Sequence, residues 1–151
     1  MNMEIKKILI TKQGKKFYVK NLDEDFHTQY GFVKKEDLKK AKNGDVLKTN
    51  TKKELLIFSP TFADIYKKIK RDAQIIPLKD IGLIVAETGI GKGSKVVDAG
   101  SGSGALACFL ANLCKEVITY EIREDFIDIV KKNIGLLELK NIEIKNKNIY
   151  D

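Results

Sequence analysis

Apolar residues in the first 58 positions come in short β-prone runs rather than at helical spacing. Ile5, Ile8, Leu9 and Ile10 form one run and Phe17, Tyr18 and Val19 another, with the turn signal Gln13-Gly14 between them, which predicts a hairpin. Residues 46–49 and 54–58 read as two more strands, separated by the polar run Asn50, Thr51, Lys52 and Lys53 and preceded by the turn Asn43-Gly44-Asp45. These runs predict a small β-rich N-terminal domain over residues 1–58, a size at which a domain is marginally stable alone.

From Thr61 the period changes. Phe62, Ile65, Tyr66 and Ile69 lie at i, i+3, i+4 and i+7, one face of a helix starting at Ser59-Pro60. Residues 71–79 contain Pro77 and read as a loop, so residues 59–79 make a linker helix and loop. A helix follows over 80–88, with Gly89 as its left-handed terminator. Next come a strand (95–98), a glycine turn (99–104), a helix (105–114), a strand (117–120), a helix (124–134) ended by Gly135, and a strand (142–144). The order is βαβαβ, which needs a parallel sheet: residues 80–151 form the start of a doubly wound α/β domain. The helix from Ala105 is apolar almost all round, as a buried helix is.

Composition narrows the class. The 151 residues are 43% hydrophobic and 32% charged, enough of both for a globular core with a solvated surface. No long uncharged apolar run occurs and none follows a basic N-terminus, so neither a membrane span nor a secretory signal is expected, and the expected location is cytoplasmic. Cys108 and Cys114 fall six apart on one expected helix, about 9 Å between Cα atoms and beyond disulfide reach, so both are read as reduced core residues. His27, the only histidine, is far from them in sequence, and no metal site is expected. The net charge of +7 is concentrated in residues 1–79, where 19 Lys and Arg stand against 10 Asp and Glu; residues 80–151 hold 9 against 11. That field suits either a polyanion such as RNA or a merely solubilising lysine-rich surface.

The chemistry lies at the first parallel strand. Asp98-Ala99-Gly100-Ser101-Gly102-Ser103-Gly104 puts an acid at a strand end and three alternate glycines at the start of the helix that continues with Ala105 and Leu106. Such a turn lets a flat ligand lie against bare backbone, while N–H groups at the helix start face an anionic group. One strand later Glu121 follows Tyr120, about 20 residues after the first glycine, the spacing of an acid that accepts from ribose hydroxyls. Gly100 to Ala105 also satisfies the dinucleotide pattern G-x-G-x-x-[GA], so an NAD site competes with one for S-adenosylmethionine. The third glycine and Asp98 favour S-adenosylmethionine, which has no pyrophosphate and carries an ammonium that an acid can hold. Gly89 to Ser94 looks like a P-loop but lacks its spacing and precedes a strand instead of following one.

With these residues on view, the chain resembles the tRNA (adenine-N1)-methyltransferases, most closely the archaeal type, within the class I S-adenosylmethionine-dependent methyltransferases with a Rossmann-like sheet. The likeness runs through Phe26-His27-Thr28, Arg71-Asp72-Ala73-Gln74-Ile75-Ile76-Pro77, Asp80, the stretch from Asp98 to Leu106, Tyr120-Glu121-Ile122-Arg123-Glu124-Asp125-Phe126, and Lys147-Asn148-Ile149-Tyr150. It implies S-adenosylmethionine as cofactor and tRNA as partner, with methyl transfer to adenine N1 in a homo-oligomer, a tetramer in complete members, whose N-terminal domain helps hold the RNA. It implies cofactor contacts from Gln74, Asp98, Gly100, Ser101, Gly102, Ser103, Gly104, Ala105, Leu106, Glu121, Ile122, Asn148 and Ile149. Asn148 stands where relatives usually carry Asp; its amide oxygen still accepts from an adenine amino group, without the charge. The family's catalytic aspartate belongs to a fourth strand beyond residue 151, so no catalytic residue is assigned, and this chain is expected to be the N-terminal, cofactor-binding part. The competing class is a non-catalytic cofactor- or RNA-binding fragment. Gln74, Pro77 and Asp80 form either a lid over the methionine end or a helix start; Arg123 either approaches the adenosine or pairs with its acidic neighbours; His27 either touches RNA or is structural.

Overall fold

The computed structural model describes residues 5–72 and 74–151; Ala73, inside one of the runs that carry the resemblance, lies outside the described residues. Two compact units divide the chain, Met1–Asp64 and Ile65–Asp151.

The first unit is built on an antiparallel sheet of β1 (Lys7–Thr11), β2 (Lys16–Val19), β5 (Val46–Lys48) and β6 (Glu54–Phe58), in the order β2-β1-β6-β5. The expected hairpin is there, with Leu9 opposite Phe17. The alternation is that of a half-buried sheet: Leu9, Val19, Leu55 and Ile57 are fully buried, while Val46 and Leu56 face outward. A second hairpin, β3 (Phe26–Thr28) and β4 (Gly31–Val33), and a one-turn helix α1 (Lys35–Lys40) complete the core by inserting Val33 and Leu38. Neither was legible in the pattern. Lys35 to Lys40 holds a single apolar residue, and the hairpin depends on Gly31, whose φ of 94° and closeness to the Asn50 side chain leave no room for a Cβ.

The second unit carries the parallel sheet, β7 (Lys95–Ala99), β8 (Glu116–Tyr120) and β9 (Ile142–Lys145), in the order β7-β8-β9. Its helices are α3 (Leu78–Thr88), α4 (Ala105–Ala111) and α5 (Glu124–Leu136). Val96, Val117 and Ile142 lie side by side across the sheet and pack with Ala107, Leu110 and Ala111 of α4. This is the expected α/β architecture, a doubly wound start preceded by a β-rich part.

Several helix ends differ from the pattern's expectation, and α3 begins at Leu78, inside the expected loop, instead of at residue 80. The helix with Phe62, Ile65, Tyr66 and Ile69 is regular only over α2 (Phe62–Tyr66) and continues as i→i+3 turns. Tyr66 and Ile69 are still buried, but both backbone groups of Lys70 are taken by Asn133 instead of helical partners. The expected end of α5 at Gly135 is corrected: the helix runs on, and Glu138 takes the left-handed φ of 54° while the Leu139 N–H donates to the Ile134 carbonyl. Leu137, buried on the same stripe as Val130, draws the chain that further turn. Helix α4 stops at Ala111 because the Asn141 side chain donates to the carbonyls of Ala111 and Cys114, at 2.8 and 2.9 Å.

Candidate functional site

At the carboxyl ends of the parallel strands the chain opens a cleft of about 200 Å³, lined by Gly100, Tyr120, Glu121, Ile122, Asn148 and Ile149, with Ala99 and Lys147. The ends of parallel strands are where open α/β sheets receive ligands, since the loops there diverge to either side of the sheet. The volume is below the ~300–1,000 Å³ of a complete small-molecule site, so the cleft suits one end of an extended ligand.

One wall is the glycine turn. Gly100, Gly102 and Gly104 take φ of 82°, 52° and 73°. The N–H groups of Gly100 and Ser101 both donate to the Tyr120 carbonyl, at 2.9 and 3.1 Å, which ties the turn to the end of β8. Gly104 backs onto α5 so closely that a Cβ there would come within 2.9 Å of Val130 Cγ1.

Glu121 is the joint between the two loops. Its carboxylate accepts from the Gly102 N–H at 3.0 Å and from the Ile122 and Arg123 N–H groups at 2.9 and 3.0 Å. The side chain is buried, and a carboxylate with about four lone-pair directions keeps one for a ligand. Asp98, one strand over, accepts from the Thr119 hydroxyl at 2.6 Å. Burial pushes its carboxyl above the usual range; the Thr119 bond opposes that and the nearby Glu121 charge adds to it.

The other expected residues do not line the cleft. Ser103 is buried and its Oγ accepts from the Asp72 N–H. Ala105 is buried and its carbonyl accepts from the Tyr66 hydroxyl, while Leu106 packs into the core. Gln74 is exposed in the segment before α3. Arg123 pairs with Asp125 at 2.6 Å and covers the Phe126 ring at 4.1 Å. Burial pushes the Cys108 thiol up to about 12, so it is an inert core residue at neutral pH. Sequence reading passed over Ala99, Tyr120 and Lys147 as site residues; their signal was position, each lying beside a strand end already marked by a motif.

The fit to S-adenosylmethionine rests on one orphan. Ser101 Oγ is buried and has no hydrogen-bond partner among the described residues, which a bound polar group would supply. Parallel strands, a glycine turn opening α4 and an acid after β8 define the class: an S-adenosylmethionine-dependent methyltransferase fold.

Residues 77–151 match the family model for ribosomal RNA adenine dimethylase. Over 131 residues the chain is 39% identical to the tRNA (adenine(57)-N(1)/adenine(58)-N(1))-methyltransferase of Methanocaldococcus jannaschii, covering 85% of this chain and 45% of that protein. With the tRNA (adenine(58)-N(1))-methyltransferase of Thermus thermophilus it shares 33% over 112 residues, 72% of this chain and 44% of the other. A solved S-adenosylmethionine-dependent O-methyltransferase from Thermotoga maritima superposes with a TM-score of 0.80 at 26% identity, over 99% of this chain and 58% of that one. The tRNA (m1A58) methyltransferase of Aquifex aeolicus gives 0.78 at 26%, over 100% and 60%. The chain is thus similar over most of its length to tRNA (adenine-N1)-methyltransferases and has the fold of S-adenosylmethionine-dependent methyltransferases, and it spans a little under half the length of these curated relatives. Among the described residues no helix is long and apolar enough to cross a membrane.

Proposed function

We propose that the whole protein methylates N1 of an adenine in tRNA and that this chain supplies its cofactor-binding half. The observation that carries the reading is the cleft at the ends of β7 and β8, with Glu121 at its joint and the orphaned Ser101 hydroxyl in the adjoining turn. The curated relatives favour an RNA adenine, with 39% identity to the archaeal tRNA enzyme and 33% to the Thermus one, whereas the solved tRNA enzyme and O-methyltransferase are equally similar at 26%.

S-adenosylmethionine, when bound, supplies a methyl group on a positively charged sulfur. The chain's part is to bind and orient it. Glu121 accepts from a ribose hydroxyl with its remaining lone pair, Ile122 and Ile149 flank the adenine, and Asn148 accepts from its amino group. Asp98, Gly100, Gly102, Gly104, Ala105 and Leu106 frame the methionine end, with Ser101, Ser103 and Gln74 offering polar atoms. The substrate side of the reading rests on the basic N-terminal half, which attracts a polyanion. A homo-oligomer working in the cytoplasm completes the proposal.

Calorimetric titration with S-adenosylhomocysteine tests it, with NAD as control. We expect saturable binding of the first, none of the second, and an affinity loss of about tenfold or more in Glu121→Ala, from losing a charge-assisted acceptor. Binding of NAD alone would replace the methyltransferase reading by a dinucleotide one.

A further inference from the structure

Asn133 occupies a place in α5 that its neighbours would reserve for an apolar residue. It follows Ile127 and Val130 along the buried stripe and is itself 1% exposed. Its carboxamide bonds backbone from two separate segments, with both N–H protons used. Oδ1 accepts from the Lys70 N–H at 2.7 Å, and Nδ2 donates to the Lys70 carbonyl at 2.9 Å and to the Ser103 carbonyl at 2.8 Å. To Lys70 the side chain presents a donor and an acceptor together, as a neighbouring strand would; to Ser103 it gives its second proton.

Two further bonds run the same way. The Asp72 N–H donates to Ser103 Oγ at 3.2 Å, and the buried Tyr66 hydroxyl donates to the Ala105 carbonyl at 3.1 Å. The segment leading to Gln74 is thus fastened to the glycine turn at three places, and Asn133 is the only one of the three that bonds both segments from a third element. One turn earlier on α5, Val130 lies against Gly104.

From this geometry we infer that Asn133 is a positioning residue for the cofactor: it fixes the glycine turn and the Lys70–Asp72 backbone in register, and so sets the width of the site at its amino-acid end. The inference rests on the cofactor reading above. It assigns Asn133 no contact with the ligand. The nucleoside end has further bonds of its own, from the Ile122 and Arg123 N–H groups to Glu121, so the inference places the larger effect at the amino-acid end.

The test compares two ligands that share the nucleoside. S-adenosylhomocysteine has the amino-acid end; 5′-methylthioadenosine lacks it. In Asn133→Ala we expect the affinity for S-adenosylhomocysteine to fall about tenfold, the scale of losing buried hydrogen bonds, while that for methylthioadenosine changes less than about twofold. Asn133→Asp should lose at least as much, because a carboxylate cannot donate to the two carbonyls. Loss of general stability would lower both affinities together, so parallel losses, or no loss for either ligand, would overturn the inference.

Should the variants melt below the assay temperature, hydrogen exchange of the Lys70 amide in the unaltered chain gives the same discrimination. Protection should rise with S-adenosylhomocysteine and not with methylthioadenosine; an equal response to both overturns the inference. An unaltered chain that binds neither ligand would instead remove the cofactor reading itself, a distinguishable result.

Discussion

Asp64 is bound from three directions by two residues. Lys16 Nζ donates to one oxygen at 2.7 Å, and the Thr61 N–H and hydroxyl donate to the other at 3.1 and 2.7 Å. Burial raises the carboxyl's pKa, and the bonds from Lys16 and Thr61 outweigh it, holding it at about 2. A depressed carboxylate stabilises the fold above its unfolded pKa of about 4 and loses that contribution as pH falls through the folded value. The N-terminal unit should therefore lose on the order of 1–2 kcal/mol between about pH 4 and pH 2, after discounting for the partly exposed Lys16 partner. In Asp64→Asn that part of the acid dependence should vanish, read by denaturant unfolding across the pH range.

The same scale separates what sequence could and could not reveal. The place of Glu121 at the cleft was legible because an acid after a strand, at a set distance from a glycine turn, marks the ligand end of such a sheet. Its bonds were not: three backbone N–H groups fold back on it, and such local bonds leave no mark in residue spacing. Asn133 gave a fainter signal, one polar residue on an apolar stripe, which without its partners reads as a flaw in the pattern.

At the scale of elements, periodicity located the strands of the parallel sheet and both of its crossover helices, since each buries a continuous stripe. It missed the ends, which are decided by single side chains from elsewhere: Asn141 halts α4, Asn133 draws Lys70 out of α2's continuation, and Gly135 lies inside a helix that Glu138 terminates. The start of α4 carries the sharpest prediction. Gly104 needs both its left-handed φ and its missing Cβ, because Val130 fills the space behind it. Gly104→Ala should cost about 2–4 kcal/mol, combining the backbone penalty of roughly 1–2 kcal/mol with overpacking. Adding Val130→Ala relieves only the overpacking, so the double variant should be less destabilised than the sum of the two singles. Thermal unfolding of the four proteins measures this; strict additivity would mean that Gly104 and Val130 do not press on each other.

Across the whole chain, charge and chemistry are divided. The half that precedes residue 80 carries the basic excess, and the half after it carries the cleft lined by Gly100, Glu121 and Asn148 on a slightly acidic background. Charge alone cannot distinguish an RNA-binding surface from a solubilising one; the arrangement of the cations can be tested. In the first unit Lys15 and Lys53 both lie over the Tyr30 ring, at 5.9 and 5.3 Å, and Lys15 also lies over Phe17 at 5.3 Å. Aromatic faces restrain these ammonium groups without neutralising them, whereas Lys16, Lys39 and Lys48 are each spent on a carboxylate. If tRNA binds here, each phosphate contact contributes a slope of roughly 0.7–0.9 to the fall of log affinity with log salt. Replacing Lys15 and Lys53 together by Glu should then weaken tRNA binding at low salt and make that slope shallower by about 1.5. Measured by filter binding over a salt series, an unchanged slope would mean that Lys15 and Lys53 serve solubility and that the RNA, if held by this half at all, is held by other lysines.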